Sequence, residues 1–251
     1  MAKIYAISDI HGYLDEFINA LNKVELSDKD NRLILLGDYI DNGSKSFQVL
    51  SKIIELEEMY SGQIITLFGN HDEWFYEWLI PETPTASAFG ETIQSFFSPE
   101  ELKEILVSNP NNFEIAIRNA IKTKTKFIDW FKERYKDKRY YETDNQIFVH
   151  AGIDLTLDDW HETTDYKKVW LRKPFHEAEN HTGKTIVFGH TPVYGLLKQD
   201  RGTAELWITE DGKIGMDGGA VYGGVLHGIV FTDQGMTDHY FIENDGFVAE
   251  D

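Results

Sequence analysis

Five short segments of the 251-residue sequence combine glycine with side chains that can bind a metal ion or transfer a proton. Taken singly, each segment is more typical of a turn or a hydrogen-bonded structural residue than of a ligand. Together they supply carboxylate, amide and imidazole groups, the donors that Mn²⁺, Fe and Zn²⁺ accept in proteins. The segments are SDIHG (8–12), GDYIDNG (37–43), GNHD (69–72), HAG (150–152) and GH (189–190).

The spacing of these donors predicts a site for two metal ions. Asp9 and His11 can bind one ion if the strand before them has ended and the chain curls. Asp38 has two carboxylate oxygens and can bridge two ions that lie roughly 3.5–4 Å apart. The neighbouring glycines allow the backbone to turn sharply and to approach a ligand closely. The candidate ligands are Asp9, His11, Asp38, Asn70, His150 and His190.

Strand-like runs precede these segments and would place them at one edge of a sheet. KIYAIS, RLILLG and QIITLFG are predicted strands, and the apolar spacing of 13–24 and 46–60 predicts helices between them. This β-α-β-α-β order favours a largely parallel sheet that binds ligands at the carboxyl ends of its strands. QIFVHAG and KTIVFGH repeat the arrangement of a strand followed by polar residues. The alternation and Asp-Gly turns of residues 203–244 predict antiparallel strands.

The sequence changes character over residues 81–141, inside what we interpret as a single domain spanning 1–251. Prolines punctuate this segment, which also contains short predicted helices such as PEELKEILVS. We expect a helical insertion that could cap the site. The basic stretch IRNAIKTKTKFIDWFKERYKDKR leaves two interpretations open, contact with an anionic substrate or, as we favour, a solvated helix face.

Composition and charge argue against several functional classes. The chain is 41% hydrophobic and lacks cysteine, so it can pack a core but cannot form disulfides or thiolate zinc sites. No apolar run approaches the roughly 20 residues of a membrane helix. The net charge of −19 repels nucleic acid and acidic membranes, although bound cations would reverse the field at a local phosphate site. The first residues lack a signal-peptide pattern, so we expect a soluble cytoplasmic protein.

The ordered motifs resemble those of the phosphoprotein-phosphatase family of binuclear metallophosphoesterases, which run GDxHG, GDxxDRG, GNHE or GNHD, HAG and GH. VWLR and GGAVYGGVL, further along the chain, are similar to segments of bacterial members. The resemblance implies an α/β fold of four layers, with a central β-sandwich of mixed sheets flanked by helices. Those bacterial members include serine/threonine-type phosphatases and symmetrical dinucleoside-tetraphosphate hydrolases.

The resemblance also implies a role for each candidate residue. The two metal ions would be held by Asp9, His11 and Asp38, and by Asp38, Asn70, His150 and His190. Two divalent ions, expected to be Mn²⁺ with Fe or Zn²⁺ left open, would acidify a bridging water and supply hydroxide for in-line attack. His71 would protonate the leaving group, and Asp41 would orient its imidazole and favour the protonated form. Arg172 would contact phosphate. The alternatives are an exposed helix-start residue for His71 and a turn residue for Asp41.

Two positions depart from the family pattern. Asn42 stands where an arginine usually follows the second Asp, and Phe68 stands where many members have an arginine before GN. Neither an amide nor a phenyl ring can bind phosphate in the bidentate manner of arginine. Lys45 would partly compensate only if it points inward. The remaining guanidinium is that of Arg172, for which a surface ion pair is the alternative.

Three functions remain open. The leading hypothesis is a serine/threonine-type phosphatase that acts on phosphorylated proteins or peptides. The first alternative is a symmetrical dinucleoside tetraphosphate hydrolase, which uses the same chemistry on a small phosphoester. The second is a catalytically weakened phosphate-binding or regulatory protein, although carboxylates crowded together without cations would destabilise the fold.

The aromatic residues after the GNHD motif predict packing and not ligand binding. Trp74, Phe75 and Trp78 have helical spacing, and we interpret them as core residues in preference to a base-stacking platform. Tyr222 is either a residue of the cleft or a buried aromatic side chain.

Overall fold

The computed structural model describes residues 1–80, 89–137 and 139–244. Within these ranges the chain forms two five-stranded sheets with helices around them. The strands are β1 (Ile4–Ile7), β2 (Arg32–Leu35), β3 (Ile64–Thr66), β4 (Tyr140–Glu142), β5 (Gln146–Val149), β6 (Thr185–Phe188), β7 (Trp207–Ile208), β8 (Lys213–Gly215), β9 (Val225–Thr232) and β10 (Gly235–Glu243). The helices are α1 (Leu14–Leu21), α2 (Ser46–Met59), α3 (Asn70–Leu79), α4 (Gly90–Ser95), α5 (Pro99–Ser108), α6 (Phe113–Lys122), α7 (Thr125–Asp137), α8 (Asp165–Trp170), α9 (Lys173–Glu177) and α10 (Val193–Leu197).

Both sheets are mixed. The first has the order β10-β9-β1-β2-β3, in which β1, β2 and β3 are parallel and β9 and β10 are antiparallel additions at one edge. The second has the order β4-β5-β6-β8-β7, with a parallel centre and an antiparallel strand at each edge. The predicted parallel beginning of the chain is therefore confirmed, and β7, β9 and β10 of the tail are antiparallel as predicted, but β8 of the tail pairs in parallel with β6.

Successive residues of each strand face opposite sides of its sheet, and this alternation explains the four layers. Tyr5 and Ile7 of β1 pack with Phe17 of α1 on one face of the first sheet, whereas Ala6 faces the second sheet. The layer between the sheets is apolar and contains Ala6, Ile34, Leu36, Leu67, Phe148, Val187, Ile214, Met216, Ile229 and Phe231. A third apolar cluster joins the other face of the second sheet to α9 through Phe175. The expected α/β sandwich of mixed sheets flanked by helices is confirmed.

The described part of segment 81–141 is largely helical, while 81–88 and 138 lie outside the described residues. Helices α4, α5, α6 and α7 follow one another between α3 and β4. The PEELKEILVS helix begins with a capping box, in which Ser98 Oγ accepts from the N–H of Glu101 and the Glu101 carboxylate accepts from the N–H of Ser98. Ile93, Phe96 and Phe131 join the apolar cluster that covers the first sheet. These helices therefore share the core of the first sheet.

The arginines of the basic stretch make internal contacts, whereas its described lysines lie at or near the surface. Arg134 is buried and forms an ion pair with Glu57, and Arg139 is buried with its Nη2 2.7 Å from Glu73 Oε1. Lys126 is exposed and pairs with Glu58. The stretch is thus neither a uniformly solvated face nor a free cationic surface, because its arginines tie the helical segment to α2 and α3. Among the described residues, no helix combines the length and apolarity that crossing a bilayer requires.

Candidate metal centre

Loops at the carboxyl ends of five strands bring the predicted ligands together. Asp9 follows β1, Asp38 follows β2 and Asn70 follows β3, while His150 and His190 follow β5 and β6 of the other sheet. All of these residues, and His11 as well, are buried. The six residues Asp9, His11, Asp38, Asn70, His150 and His190 are called the metal centre below.

Backbone strain is concentrated in these loops. Seven non-glycine residues of the described chain have a positive φ, and six of them belong to the strand-end loops. Such conformations cost free energy and persist only where the surrounding structure imposes them, commonly at functional sites. The six are Asp9 (57°), His11 (48°), Asp38 (55°), Asp41 (77°), Asn42 (73°) and His190 (64°).

The Asp38 carboxylate belongs to both groups of side chains that can hold an ion. One ligand atom from each of His11, Asp38 and His71 lies within 4.8 Å of the others. The same holds for Asp38, His150 and His190. Asp38 is therefore shared by both groups, as the sequence predicted. His71 was expected only as a proton donor, but it lies within the first of the two groups.

Hydrogen bonds orient two of the imidazoles. His11 Nδ1 lies 3.0 Å from the carbonyl oxygen of Ile40, and His150 Nδ1 lies 3.0 Å from that of Leu36. A carbonyl accepts, so each Nδ1 carries a proton and each Nε2 is left to face the site. His150 Nε2 lies 2.9 Å from Asn70 Oδ1 and 3.4 Å from Asp38 Oδ2, while His11 Nε2 lies 3.6 Å from Asp38 Oδ2.

Asp9 and His190 are linked through the backbone. The N–H of His190 donates to both carboxylate oxygens of Asp9, at 3.0 and 3.1 Å. A side chain at Gly189 would collide with Asp9 Oδ2, which explains the glycine of the GH motif. His190 Nε2 is buried and has no hydrogen-bond partner among the described residues. An unpartnered buried imidazole nitrogen is costly unless a ligand binds it.

Burial and crowded charges shift the pKa values of the metal-centre residues. Burial opposes protonation of His150, but the Asp38 and Asp9 carboxylates raise its pKa to about 9, and a bound metal ion would displace this proton. Burial opposes ionisation of Asp38, but the charges of His150 and His71 hold its pKa well below the usual range. Burial lowers the pKa of His190 to about 2, so this imidazole is neutral, the form that binds metals. Burial also raises the pKa of Asp9, with a further contribution from Asp217. A carboxylate-rich, buried site with an orphaned imidazole nitrogen fits a pair of divalent ions.

His71 and Asp41 form a pair beside the metal centre. His71 Nδ1 lies 2.7 Å from Asp41 Oδ2, and the N–H of His71 donates to Asp38 Oδ1 at 2.9 Å. Burial opposes protonation of His71, but the Asp38 carboxylate and the hydrogen bond to Asp41 raise its pKa to about 9. His71 is a partly exposed, protonated imidazole at neutral pH, which suits the predicted role of proton donor.

Two positioning residues were not assigned from the sequence. The buried Asp72 carboxylate accepts from the N–H groups of Asp38, Tyr39 and Gly69, at 2.7, 3.0 and 3.0 Å. Thr92 of α4 accepts from the N–H of Asp41 at 3.0 Å. Asp72 has a sequence signal, since an acidic residue three positions after Gly69 fits a capping box. Thr92 has none, because only the packing of α4 on α2 brings it to the loop.

Arg172 lies near the metal centre without an ion pair of its own among the described residues. It precedes α9, is exposed, and its charge contributes to lowering the pKa of His190 after the larger effects of burial and His150. Tyr222 is also exposed, so a buried position for this residue is wrong.

The two residues that stand in place of the family's arginines lie in different environments. Asn42 is exposed in the loop after Asp41, whereas Phe68 is fully buried and packs on Phe131 with ring centroids 6.0 Å apart. Lys45 pairs with Asp15 at 2.6 Å on the surface, so it does not replace a missing arginine.

The interpretation of the aromatic cluster on α3 needs one correction. Phe75 and Trp78 are buried as predicted, but Trp74 is 42% exposed. The reason is the pitch of the helix, which directs position 74 to the side that carries His71, with ring centroids 6.3 Å apart.

Curated relatives of this chain include bis(5'-nucleosyl)-tetraphosphatases. The symmetrical enzyme of Pseudomonas fluorescens is 27% identical over 149 residues, which are 59% of this chain and 42% of the relative. The match thus spans less than half the length of that relative. The asymmetrical enzyme PrpE of Anoxybacillus flavithermus is 24% identical over 251 residues, covering 88% of this chain and 86% of the relative.

Solved structures share the fold. One whose description assigns it provisionally to a diadenosine tetraphosphatase superposes with a TM-score of 0.59 at 17% identity, covering 98% of this chain and 95% of the other. A cold-active protein-tyrosine phosphatase of a Shewanella species gives 0.56 at 17% identity, covering 98% and 78%.

The family model described as calcineurin-like phosphoesterase matches residues 2–214. This range includes every ligand candidate and the His71–Asp41 pair, so the resemblance suggested by the motifs is confirmed. The chain belongs to the calcineurin-like phosphoesterase family, whose members use a binuclear centre of divalent metal ions to hydrolyse phosphoesters.

Proposed function

We propose that this chain is a metal-dependent hydrolase of dinucleoside polyphosphates, with diadenosine tetraphosphate as its model substrate. The observation that carries the hydrolase proposal is the single carboxylate of Asp38 shared by two candidate ligand groups beside a protonated His71. The relatives that align along most of the chain favour the dinucleotide over a phosphoprotein.

The residues of the metal centre would hold the two ions. Asp9, His11 and Asp38 would bind one, and Asp38, Asn70, His150 and His190 the other. When bound, the ions supply positive charge for phosphoryl oxygens and make a water molecule more acidic. The native metal is proposed to be Mn²⁺, and both Fe and Zn²⁺ also suit these donors.

The remaining residues of the site act on the substrate directly or through His71. In hydrolysis, water adds to one phosphorus while the P–O bond of the anhydride breaks. His71 would give its proton to the departing oxygen, and Asp41 would hold the imidazole in position. Arg172 would contact a phosphate group, since its guanidinium is exposed near His190 and is not engaged in an ion pair among the described residues.

One assay series tests this function. Purified protein is supplied with Mn²⁺, Mg²⁺, Zn²⁺ or a chelator and given diadenosine tetraphosphate, a phosphoserine peptide and p-nitrophenyl phosphate. Metal-dependent cleavage of the dinucleotide with the highest kcat/KM supports the proposal. ADP as the only product indicates symmetrical cleavage, and ATP with AMP indicates asymmetrical cleavage.

The other outcomes correspond to the competing functions. A higher kcat/KM for the phosphopeptide would replace the proposal with a protein phosphatase. Stoichiometric metal binding without turnover of any substrate would indicate a phosphate-binding or regulatory protein.

A further inference from the structure

A groove lined by aromatic and acidic side chains lies directly beside the metal centre. It measures about 380 Å³, and we call it the aromatic groove. A volume of this size falls within the range of small-molecule sites. Its lining residues are Glu73, Trp74, Glu77, Tyr166 and Trp170.

The aromatic groove touches both sides of the catalytic machinery. The Trp74 ring lies 6.3 Å from the His71 ring, and the Trp170 ring lies 6.0 Å from the His190 ring in an edge arrangement. Any group held between these tryptophans is therefore next to the proton donor and next to a ligand of the second ion. A substrate whose phosphate occupies the metal centre would extend into this groove.

The exposure of these rings is unusual for large aromatic side chains. Trp74 is 42% exposed, Tyr166 68% and Trp170 36%. Tyr166 and Trp170 are stacked, with ring centroids 6.1 Å apart and an interplanar angle of 24°. Exposed aromatic planes on a polar surface mark ligand-binding sites, and they stack on nucleobases without regard to sequence.

The acidic residues of the groove disfavour anionic ligands. Glu73 is held by Arg139 at 2.7 Å, and Glu77 accepts from the hydroxyl of Tyr135 at 3.0 Å. Carboxylates repel a second phosphate or an acidic peptide, but they accept hydrogen bonds from the amino groups of nucleobases. The combination of planes and carboxylates therefore suits a neutral aromatic base and not an anionic group.

We infer that the aromatic groove binds one nucleobase of the substrate, stacked on Trp170 and Trp74, while the attached phosphates reach the metal centre. This inference rests on the proposed function and deepens it, because it names the part of the substrate that the chain recognises besides phosphate. Trp170 and Trp74 are specificity-determining residues, and a nucleoside polyphosphate is preferred over a polyphosphate that lacks a base.

The test compares a substrate that carries nucleosides with one that carries none, and the tryptophan variants isolate the contribution of the base. The ratio of kcat/KM for diadenosine tetraphosphate to that for inorganic tetraphosphate is measured for the wild type and for tryptophan variants. Trp170→Leu keeps an apolar side chain but removes the aromatic plane. The ratio should fall by about 5- to 150-fold, the change in affinity that corresponds to the loss of one base-stacking contact. Trp170→Phe should retain most of the ratio, and Trp74→Leu should lower it in the same direction.

Controls separate stacking from general damage. Phe113 is a similarly exposed aromatic residue on α6 outside the groove, and Phe113→Leu should leave the ratio unchanged. Circular dichroism melting of each variant checks that it is folded. The inference is overturned if the folded Trp170→Leu and Trp74→Leu variants keep the wild-type ratio within twofold.

A binding titration distinguishes failure of this inference from failure of the proposed function. The affinities of the Mn²⁺-loaded protein for ADP and for inorganic pyrophosphate are compared. A tighter affinity for ADP that disappears in Trp170→Leu supports the groove even if the dinucleotide is not cleaved. Cleavage of the dinucleotide without any preference for ADP contradicts the groove alone.

Discussion

The metal centre consists of buried residues that follow the strands of both sheets, whereas the aromatic groove consists of three exposed aromatic rings and two glutamates on α3 and α8. In the metal centre, the strained backbone at Asp9 and Asp38 is held by hydrogen bonds with Gly37, His190 and Asp72. In the groove, Tyr166 and Trp170 make stacked contacts that leave much of each ring open. We therefore expect the first region to tolerate little change in geometry, and the exposed aromatic positions of the second to accept other side chains while the fold is retained.

This difference separates chemistry from selectivity. Substitutions in the metal centre should lower the turnover of every phosphoester, because each substrate needs the same two ions. Substitutions in the aromatic groove should change the preference among substrates. The following predictions test the contrast, from the largest expected effect to the smallest.

The largest effect is expected for Asp38→Asn. The variant loses the negative charge shared by both ligand groups, so kcat/KM should fall by about 10⁴-fold or more for the dinucleotide and for p-nitrophenyl phosphate alike. Metal analysis should find fewer than two ions per chain. Asp15→Asn, which alters an exposed ion pair with Lys45, is the matched control and should retain both ions. Full activity with two bound ions would contradict the shared role of residue 38.

The second-largest effect is expected for His71→Asn, and its size should depend on the leaving group. His71→Asn removes the proton donor, and kcat should fall by about 10²- to 10⁴-fold for an alkyl phosphate. The loss should be smaller for a phosphoanhydride, because a phosphate leaves more readily than an alkoxide. Steady-state kinetics with both substrate types measure the difference, and equal losses would argue against proton donation by His71.

The pH dependence of activity tests the same role of His71. In the proposed mechanism protonated His71 is the donor, so activity should fall as the pH rises through its pKa. Asp41→Asn removes a hydrogen bond and a charge that raise this pKa, so the alkaline limb should move to lower pH. An unmoved alkaline limb would show that another group limits activity at high pH.

A smaller effect is expected from the carboxylate behind the metal centre. Asp72→Asn replaces an acceptor of three backbone N–H bonds with an amide that also carries donors. We expect a 10- to 100-fold weaker metal affinity, roughly the usual cost of losing such support, and about 1.5–3 kcal/mol less stability. Metal titration and urea unfolding measure the two losses. Glu73→Gln, at the next position of α3, should spare metal affinity.

The smallest effect concerns stability and not turnover. His227 is fully buried on β9 and contacts His239, and burial lowers its pKa from 6.5 to about 3. The folded chain thus binds fewer protons than the unfolded chain between these values, so stability should fall as the pH drops below about 6.5. The slope from one such group is at most about 1.4 kcal/mol per pH unit.

Two variants test whether His227 causes this pH dependence of stability. His227→Phe should flatten the dependence of the melting temperature on pH between 6.5 and 4.5. His161→Phe is the control, since His161 is exposed and its carboxylate neighbours raise its pKa instead. An unchanged slope in the first variant would place the acid sensitivity elsewhere.

Much of the metal centre was predictable because its signal is local. A hydrophobic run that ends in glycine and a polar residue specifies both a strand and the chemistry at its end. The order of strands and helices then predicts that the ends of parallel strands meet at one edge. This is why Asp9, Asp38 and Asn70 were expected together, whereas the sandwich of two mixed sheets was implied by the family resemblance.

The amino-acid sequence by itself thus determined the candidate donors at the strand ends, the alternating order of strands and helices and the buried character of the strands, since each depends on neighbouring residues. Only the tertiary structure decided that Trp74 stays exposed, that Trp170 of α8 reaches His190, and that Thr92 supports Asp41. The last two contacts join residues far apart in the chain. Helical periodicity states which residues share a face, but the packing of the whole chain decides which faces meet and which remain open to a ligand.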